Sequence, residues 1–294
     1  MPIDYRYHIG SFVAIFLALL LGILIGIGLA PSPPEFEQKV AELRDDYRET
    51  REEKKEELAA AESALREADT LAKESAAAII ANRLGGLRVA IILDHGSGRD
   101  PLPENLRALM QEAGATLVST TTITRSFVSL PVELKREVAQ RLSLYPPPGV
   151  HFRSVIAESL AKALARGEPE LVHELEAMGL IKSSADSDFR SRVEAVLLVG
   201  GPATPQDASP ERIDLPMIEE FARLGIRVVG CEPRDAPISC VPLYKAKGIT
   251  TVDNADTTAG RLAIVLALAG NDGHFGVKET ADRFLPEIPA HGKQ

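Results

Sequence analysis

The stretch LRVAIIL, from Leu87 to Leu93, decides the fold class of this chain. It is a continuous apolar run rich in β-branched residues, which is typical of a strand buried on both faces of a sheet. Four later runs have the same character: ATLVST at 115–120, EAVLLVG at 194–200, IRVVGC at 226–231 and ITTVD at 249–253. Helical patterns separate them, at 103–113, 131–144, 151–166, 215–224 and 257–269. This alternation predicts an α/β domain at 87–294 with a mostly parallel, Rossmann-like sheet covered on both faces.

The loops after these strands are where a ligand would bind, because open parallel sheets bind ligands beyond the carboxyl ends of their strands. The loop at 94–100 lacks the third glycine of a dinucleotide fingerprint, and the loop at 200–204 lacks the lysine of a phosphate-binding loop. Both are therefore interpreted as tight turns. If they converge, five polar residues form a candidate ligand cleft: Asp94, His95, Asp253, Asn254 and His274. Dispersal of these residues would favour a scaffold over a binding or catalytic protein.

An apolar segment near the start, from Gly10 to Ala30, contains no charged residue. As a helix, residues 9–29 would cover about 30 Å, the thickness of the hydrocarbon core of a bilayer. The sequence therefore predicts a single transmembrane helix at 9–30 that anchors the chain in the lipid bilayer of the cell membrane. Pro31 and an acidic segment follow it instead of a small-residue cleavage site, which favours a retained anchor. The short tail at 1–8 favours a cytoplasmic N-terminus and an extracytoplasmic globular domain.

Small residues recur every four positions along this segment: Gly10, Ala14, Ala18, Gly22, Gly26 and Ala30. Such spacing lets two helix backbones approach closely, so it predicts self-association of the segment. Small residues are also common in membrane spans without such a role.

The segment at 32–84 is predicted to be a long, highly charged helix. It carries apolar residues at three- and four-residue spacing in two runs: Val40, Leu43 and Tyr47, and then, after a polar gap, Leu58, Ala61, Leu65, Ala68 and Ala72. The spacing favours a parallel dimeric coiled coil, and hence a homodimer, with an eleven-residue step between Tyr47 and Leu58. The alternative is a single charged helix stabilised by pairs of opposite charge four residues apart.

Composition excludes one class of partner. The formal net charge is −9 and there is no Trp, which argues against a nucleic-acid surface.

The two cysteines, Cys231 and Cys240, are too few for a disulfide framework or a zinc pattern. They are interpreted as buried apolar residues, with a single bridge as the alternative.

Three stretches carry a resemblance to a known family. They are DYRYH (4–8) running into the apolar segment, VDNADTTAGRLAIVLALAG (252–270) and GHFGVK (273–278). Together they resemble the actinobacterial copper transport protein MctB family, over essentially the whole chain. The resemblance implies a function in copper transport or homeostasis. Copper is then the expected metal, and because Cu(I) prefers thiolate ligands, Cys231 and Cys240 are the candidate ligands, with Glu232 beside them.

These observations predict a non-enzymatic, membrane-anchored envelope protein linked to copper by resemblance. No cofactor other than copper is expected. The alternative is a scaffold or regulatory partner that recruits another envelope protein, for example one of cell-wall remodelling, through the coiled coil or the α/β domain. An enzyme is disfavoured because the sequence shows no constellation of a nucleophile and a base.

Overall fold

The computed structural model describes residues 5–29, 34–97, 101–206 and 209–288. The chain divides into two compact units, Met1–Ala68 and Asp69–Gln294. The first contains helix α1 (Tyr5–Leu29) and most of helix α2 (Pro34–Ile80), and the boundary between the units falls within α2. The second, called the α/β unit below, contains the sheet.

No helix among the described residues is both long enough and apolar enough to cross a membrane. The prediction of a single N-terminal transmembrane helix at 9–30 is therefore wrong.

The stripe of small residues predicted to self-associate lies mostly on α1. A Cβ atom added at Gly10, Gly22 or Gly26 would meet nothing within 4 Å apart from the neighbouring backbone of its own helix. The last member, Ala30, and the predicted tail residues 1–4 lie outside the described residues. Self-association of this stripe stays a prediction.

Seven strands and eight helices make up the described part of the α/β unit beyond α2. The strands are β1 (Arg88–Leu93), β2 (Thr116–Ile123), β3 (Ile181–Ser183), β4 (Ala195–Val199), β5 (Arg227–Cys231), β6 (Thr250–Val252) and β7 (His274–Phe275). The helices are α3 (Leu102–Glu112), α4 (Arg125–Ser129), α5 (Val132–Leu142), α6 (Phe152–Arg166), α7 (Pro169–Ala177), α8 (Asp214–Arg223), α9 (Val241–Ala246) and α10 (Thr258–Leu268).

The strands form one sheet in the order β3-β2-β1-β4-β5-β6-β7. All described pairings between these strands are parallel except that of β2 with β3, which is antiparallel. The prediction of a mostly parallel sheet is confirmed. The chain reverses direction across the sheet between β1 and β4, because β2 lies on one side of β1 and β4 on the other. This is the switch point at which open α/β sheets usually bind their ligands.

Alternation along the central strands explains why both faces of the sheet are covered. On β1, Ala90 and Ile92 belong to one buried cluster, whereas Val89, Ile91 and Leu93 belong to the other. Because successive side chains of a strand point to opposite faces, the two clusters lie on opposite faces of the sheet. Helices α6, α8 and α9 contribute to the first cluster, and α3, α10 and the end of α2 contribute to the second.

Candidate functional site

Three buried side chains with metal-ligating or proton-binding groups meet at the switch point. Asp94 follows β1, Asp214 is the first residue of α8, and Cys240 immediately precedes α9. One ligand atom of each lies within 4.8 Å of the other two. All three residues are at most 1% exposed. We call Asp94, Asp214 and Cys240 the switch-point cluster.

The loop after β4 allows this close approach because it begins with glycine. A Cβ atom at Gly200 would lie 2.6 Å from the hydroxyl of Tyr244 and 2.8 Å from Cβ of Cys240. Any other residue would push α9 away from the end of β4. The glycine predicted to serve a tight turn thus also makes room for the cysteine.

Tyr244 lies one turn after Cys240 on α9 and connects the thiol side of the cluster to Asp214. Its hydroxyl donates a 2.5 Å hydrogen bond to Oδ2 of Asp214. Oδ1 of Asp214 has no hydrogen-bond partner among the described residues. Burial leaves this carboxyl poorly solvated, and a buried polar atom without a partner is unfavourable in free energy.

Burial also controls the protonation of the cluster. It raises the pKa of Asp214 to about 7, with a smaller contribution from Glu211, while the hydrogen bond from Tyr244 acts in the opposite direction. The pKa of the Cys240 thiol is raised mainly by burial and, to a smaller extent, by the charge of Asp214. The pKa of Tyr244 is raised in the same way, by burial and then by Asp214. Each group therefore favours its neutral form while the others are charged.

Another buried carboxylate, Glu232, orders the loop that carries Cys240. It follows β5 and accepts hydrogen bonds from Ser239 Oγ at 2.6 Å and from the backbone N–H of Cys240 at 2.8 Å. Lys278 Nζ also donates to it at 2.5 Å and forms an ion pair. These contacts fix the position of Cys240, and the ion pair with Lys278 balances the charge of Glu232. Glu232 therefore positions the thiol through its hydrogen bond to the backbone of Cys240.

Asp253 has a structural role in the motif that ends the fold. It follows β6 and accepts hydrogen bonds from the backbone N–H groups of Val277, at 2.7 Å, and Lys278, at 3.0 Å. Gly276 passes close beside it with φ of +142°, and a Cβ atom there would lie 1.9 Å from Asp253 Oδ1. This contact explains why a glycine stands within the GHFGVK stretch.

Two polar residues, Asp256 and Thr257, immediately precede the last helix, and one of them caps it. Thr257 Oγ1 accepts the N–H of Gly260 at 3.0 Å and caps α10. Asp256 instead accepts the backbone N–H of Arg234 at 2.7 Å. Asn254, three residues before the cap, is buried, and its amide atoms have no hydrogen-bond partner among the described residues.

The five residues of the predicted cleft lie at more than one place. Asp94, Asp253 and Asn254 all follow the carboxyl ends of strands, and His95 is next to Asp94 and donates its backbone N–H to that carboxylate at 2.7 Å. His274 instead pairs with Thr251 within the sheet, and its Nδ1 lies 3.0 Å from Thr251 Oγ1.

His274 also lines a cavity of about 550 Å³, together with Arg227 and Thr250, which are the first residues of β5 and β6. This cavity is at the amino edge of the sheet, opposite the edge of the switch-point cluster. The pKa of His274 is lowered by burial and by the charge of Lys245.

The two cysteines are free thiols, and both are buried. Cys231 belongs to one core cluster and Cys240 to the other, so they lie on opposite faces of the sheet. Of the two, only Cys240 contributes to the metal-ligating group of three found among the described residues. The pKa of the Cys231 thiol is also raised, mainly by burial and to a smaller extent by the charge of Glu232.

Sequence reasoning missed Asp214 and Tyr244, which complete the surroundings of Cys240. Asp214 has the appearance of an ordinary acidic residue in the first turn of a helix, and Tyr244 has that of an apolar core residue. The available signal was weak: Cys240 and Tyr244 stand four residues apart, which places them on one helical face.

The sequence model of the family described as copper transport outer membrane protein, MctB, matches residues 2–286. This chain belongs to the MctB family. The match covers both units and confirms the resemblance carried by the N-terminal segment and the two C-terminal motifs. Membership links the chain to copper transport in the cell envelope. No curated protein sequence matches the chain significantly.

Proposed function

We propose that this MctB family member is a non-enzymatic protein of copper homeostasis that works as a dimer paired through α2. The copper part of the proposal rests on family membership, and the observation that carries the pairing is a row of large apolar side chains left exposed on α2. Val40, Leu43, Tyr47, Leu58 and Leu65 are each between 41% and 72% exposed. An unpaired helix in water gains nothing from such residues, whereas a second helix packed on them removes their apolar surface from water.

The spacing of these residues fits a two-stranded coiled coil. Leu58, Leu65 and Ala72 are seven residues apart, and Ala61 and Ala68 occupy the intermediate positions of the same seam. Near its end the same helix buries Ala76 and Ile80 in the core of the α/β unit. The α/β unit of the same chain thus covers Ala76 and Ile80 at the end of α2. We propose that α2 of a second copy covers the exposed apolar residues from Val40 to Leu65.

The burial of the switch-point cluster supports a role other than catalysis. Its three side chains are at most 1% exposed, so an organic substrate does not reach them without rearrangement of the fold. A general acid or base must come within hydrogen-bond distance of the proton that it transfers. A binding or scaffolding role needs no such access for a substrate.

The test is the oligomeric state of the full chain, measured by size-exclusion chromatography with light scattering. A mild detergent is needed, because α1 exposes Phe12, Phe16 and other large apolar side chains. We expect the protein mass of two chains for the unmodified protein. The double variant Leu58→Glu/Leu65→Glu is expected to shift towards one chain, because it places charges in the seam.

The matched control is Ala59→Glu/Ser63→Glu, which adds the same charge on the opposite face of α2 and should leave the dimer intact. A single-chain mass for the unmodified protein at micromolar concentration would refute pairing through α2. In a second measurement, Leu65→Cys should form a disulfide between copies on mild oxidation, whereas Ser63→Cys should not. Cys231 and Cys240 do not interfere, because both are buried.

A second candidate function, recruitment of another envelope protein, is favoured by an exposed apolar surface on the α/β unit. Val132, Tyr145 and Val150 are 65%, 69% and 41% exposed. Val132 and Val150 line an open cavity of about 440 Å³ together with Lys135 and Arg136. Exposed apolar surface bordered by charge is typical of a protein contact.

A photo-crosslinking amino acid in place of Tyr145, introduced into the protein in its own cells, tests this candidate. A discrete crosslinked partner at this position, absent when the probe replaces the exposed Phe284, would support recruitment. Equal crosslinking at both positions would contradict it.

A further inference from the structure

The switch-point cluster has the composition of a metal site that accepts a thiophilic ion. Its ligand atoms are one thiol sulfur and the oxygens of two carboxyl groups, all within 4.8 Å of one another. Thiolate sulfur selects Cu(I) and Zn²⁺, whereas carboxylate oxygens alone suit Mg²⁺ and Ca²⁺. Zn²⁺ in particular binds cysteine and aspartate together in tetrahedral sites.

Asp214 provides an independent indication that the cluster is built for a ligand. Its side chain is fully buried, and one oxygen is occupied by the hydroxyl of Tyr244. The other, Oδ1, has no hydrogen-bond partner in the described part of the chain. Native proteins rarely leave such an atom unsatisfied, and each case requires an explanation. A bound cation would satisfy it.

The backbone around Cys240 is held in place by hydrogen bonds. Glu232 accepts the N–H of Cys240 and is itself paired with Lys278, so the peptide that carries the thiol is fixed. Hydrogen bonds that orient a ligand are a regular feature of metal sites in proteins.

We propose that Asp94, Asp214 and Cys240 bind a thiophilic metal ion, Cu(I) or Zn²⁺, at the switch point between β1 and β4. The ion bonds to the sulfur and to one oxygen of each carboxyl group, and the proton of the thiol, with any proton held by Asp214, is released to solvent. Cys231 takes no part, because it lies on the other face of the sheet. The proposal does not depend on pairing through α2, so either can fail alone.

The experiment is calorimetric titration of the full, reduced chain after removal of metal with a chelator. Four ions are titrated separately: Cu(I) with a competing chelator, Zn²⁺, Mg²⁺ and Ca²⁺. We expect one equivalent of Cu(I) or of Zn²⁺ to bind, with release of a proton, and no binding of Mg²⁺ or Ca²⁺. The comparison of the first two ions shows which thiophilic metal the site takes.

Three variants locate the site. Cys240→Ser and Asp214→Asn should each weaken binding by about tenfold or more, and Cys231→Ser should leave it unchanged. Circular dichroism establishes that each variant is folded, and Asp214→Asn is the safer of the two because it preserves the shape of the side chain. Absence of stoichiometric binding to the unmodified protein overturns the proposal, and so does binding lost with Cys231→Ser but retained with Cys240→Ser.

Discussion

Replacing Asp214 with asparagine tests directly how the protein accommodates a carboxyl group in its core. Asp214 is fully buried, and burial raises its pKa from the ordinary 3.8 to about 7. Asparagine has nearly the same shape, is neutral at every pH, and retains an oxygen that can accept the hydroxyl of Tyr244. The substitution therefore removes the titration and leaves the packing in place.

The sign of the effect follows from proton binding. Between about pH 4 and pH 7 the folded chain keeps a proton on Asp214 that the unfolded chain has released. The contribution of Asp214 to the free energy of unfolding is therefore most favourable in acid and is lost as the pH rises through this window. Each unit of pKa difference corresponds to about 1.4 kcal/mol. The shift from 3.8 to about 7 gives a total loss of about 4 kcal/mol by pH 8.

The assay is urea unfolding followed by far-ultraviolet circular dichroism, with a chelator present, at several pH values between about 5 and 8. The difference between Asp214→Asn and the unmodified protein isolates this one group from all other titrations. We expect the variant to gain stability relative to the unmodified protein as the pH rises to about 7, and the gain then to level off.

Asp235→Asn, at an exposed carboxylate, is the control and should show no such pH-dependent difference. Stability curves for Asp214→Asn and the unmodified protein that run parallel over the whole pH range would refute the reasoning, because Asp214 would then be ionised equally in the folded and unfolded chains.

Three other substitutions, each with its reason in the structure, test contacts within the α/β unit. Gly276→Ala should lower the free energy of unfolding by about 3 kcal/mol or more, because the new Cβ atom would lie 1.9 Å from Asp253 Oδ1. Gly270→Ala, also at positive φ but in open space, should cost about 1 kcal/mol, and equal losses in urea unfolding would contradict the proposed clash. Glu232→Gln should cost about 3 to 5 kcal/mol because it leaves Lys278 without its buried partner. Glu219→Gln removes only an exposed pair and should cost at most about 1 kcal/mol, so similar thermal melting shifts for the two would count against a buried ion pair. Thr257→Ala should cost about 1 kcal/mol through loss of the cap of α10, and an unchanged unfolding midpoint would show that the cap contributes nothing.

The elements that the sequence predicted well are those whose local pattern and burial agree. The run from Leu87 to Leu93 became β1 because both of its faces are covered, so a continuous apolar run was the expected pattern. The strands that it missed are short: β3 has three residues and β7 has two. Strands of that length have no measurable period, and they exist because a neighbouring strand offers hydrogen bonds to them.

The apolar N-terminal segment shows the opposite case. Its helical structure was predicted and is present in α1, but hydrophobicity alone did not establish a membrane span. An uninterrupted apolar sequence reports how a segment partitions between water and an apolar phase, and that property alone does not define a span.

By itself, the sequence determined the α/β class, the parallel central strands, the long charged helix and the position of Asp94 at the end of a strand, because each depends on local periodicity. Only the tertiary structure decided which side chains meet. It brought Asp214, Cys240 and Tyr244 together from α8 and α9, and it separated Cys231 from Cys240 although they are close in sequence. The physical reason is that a parallel sheet gathers distant residues at its carboxyl edge, while the connection from β5 to α9 carries Cys240 to the face of the sheet opposite Cys231.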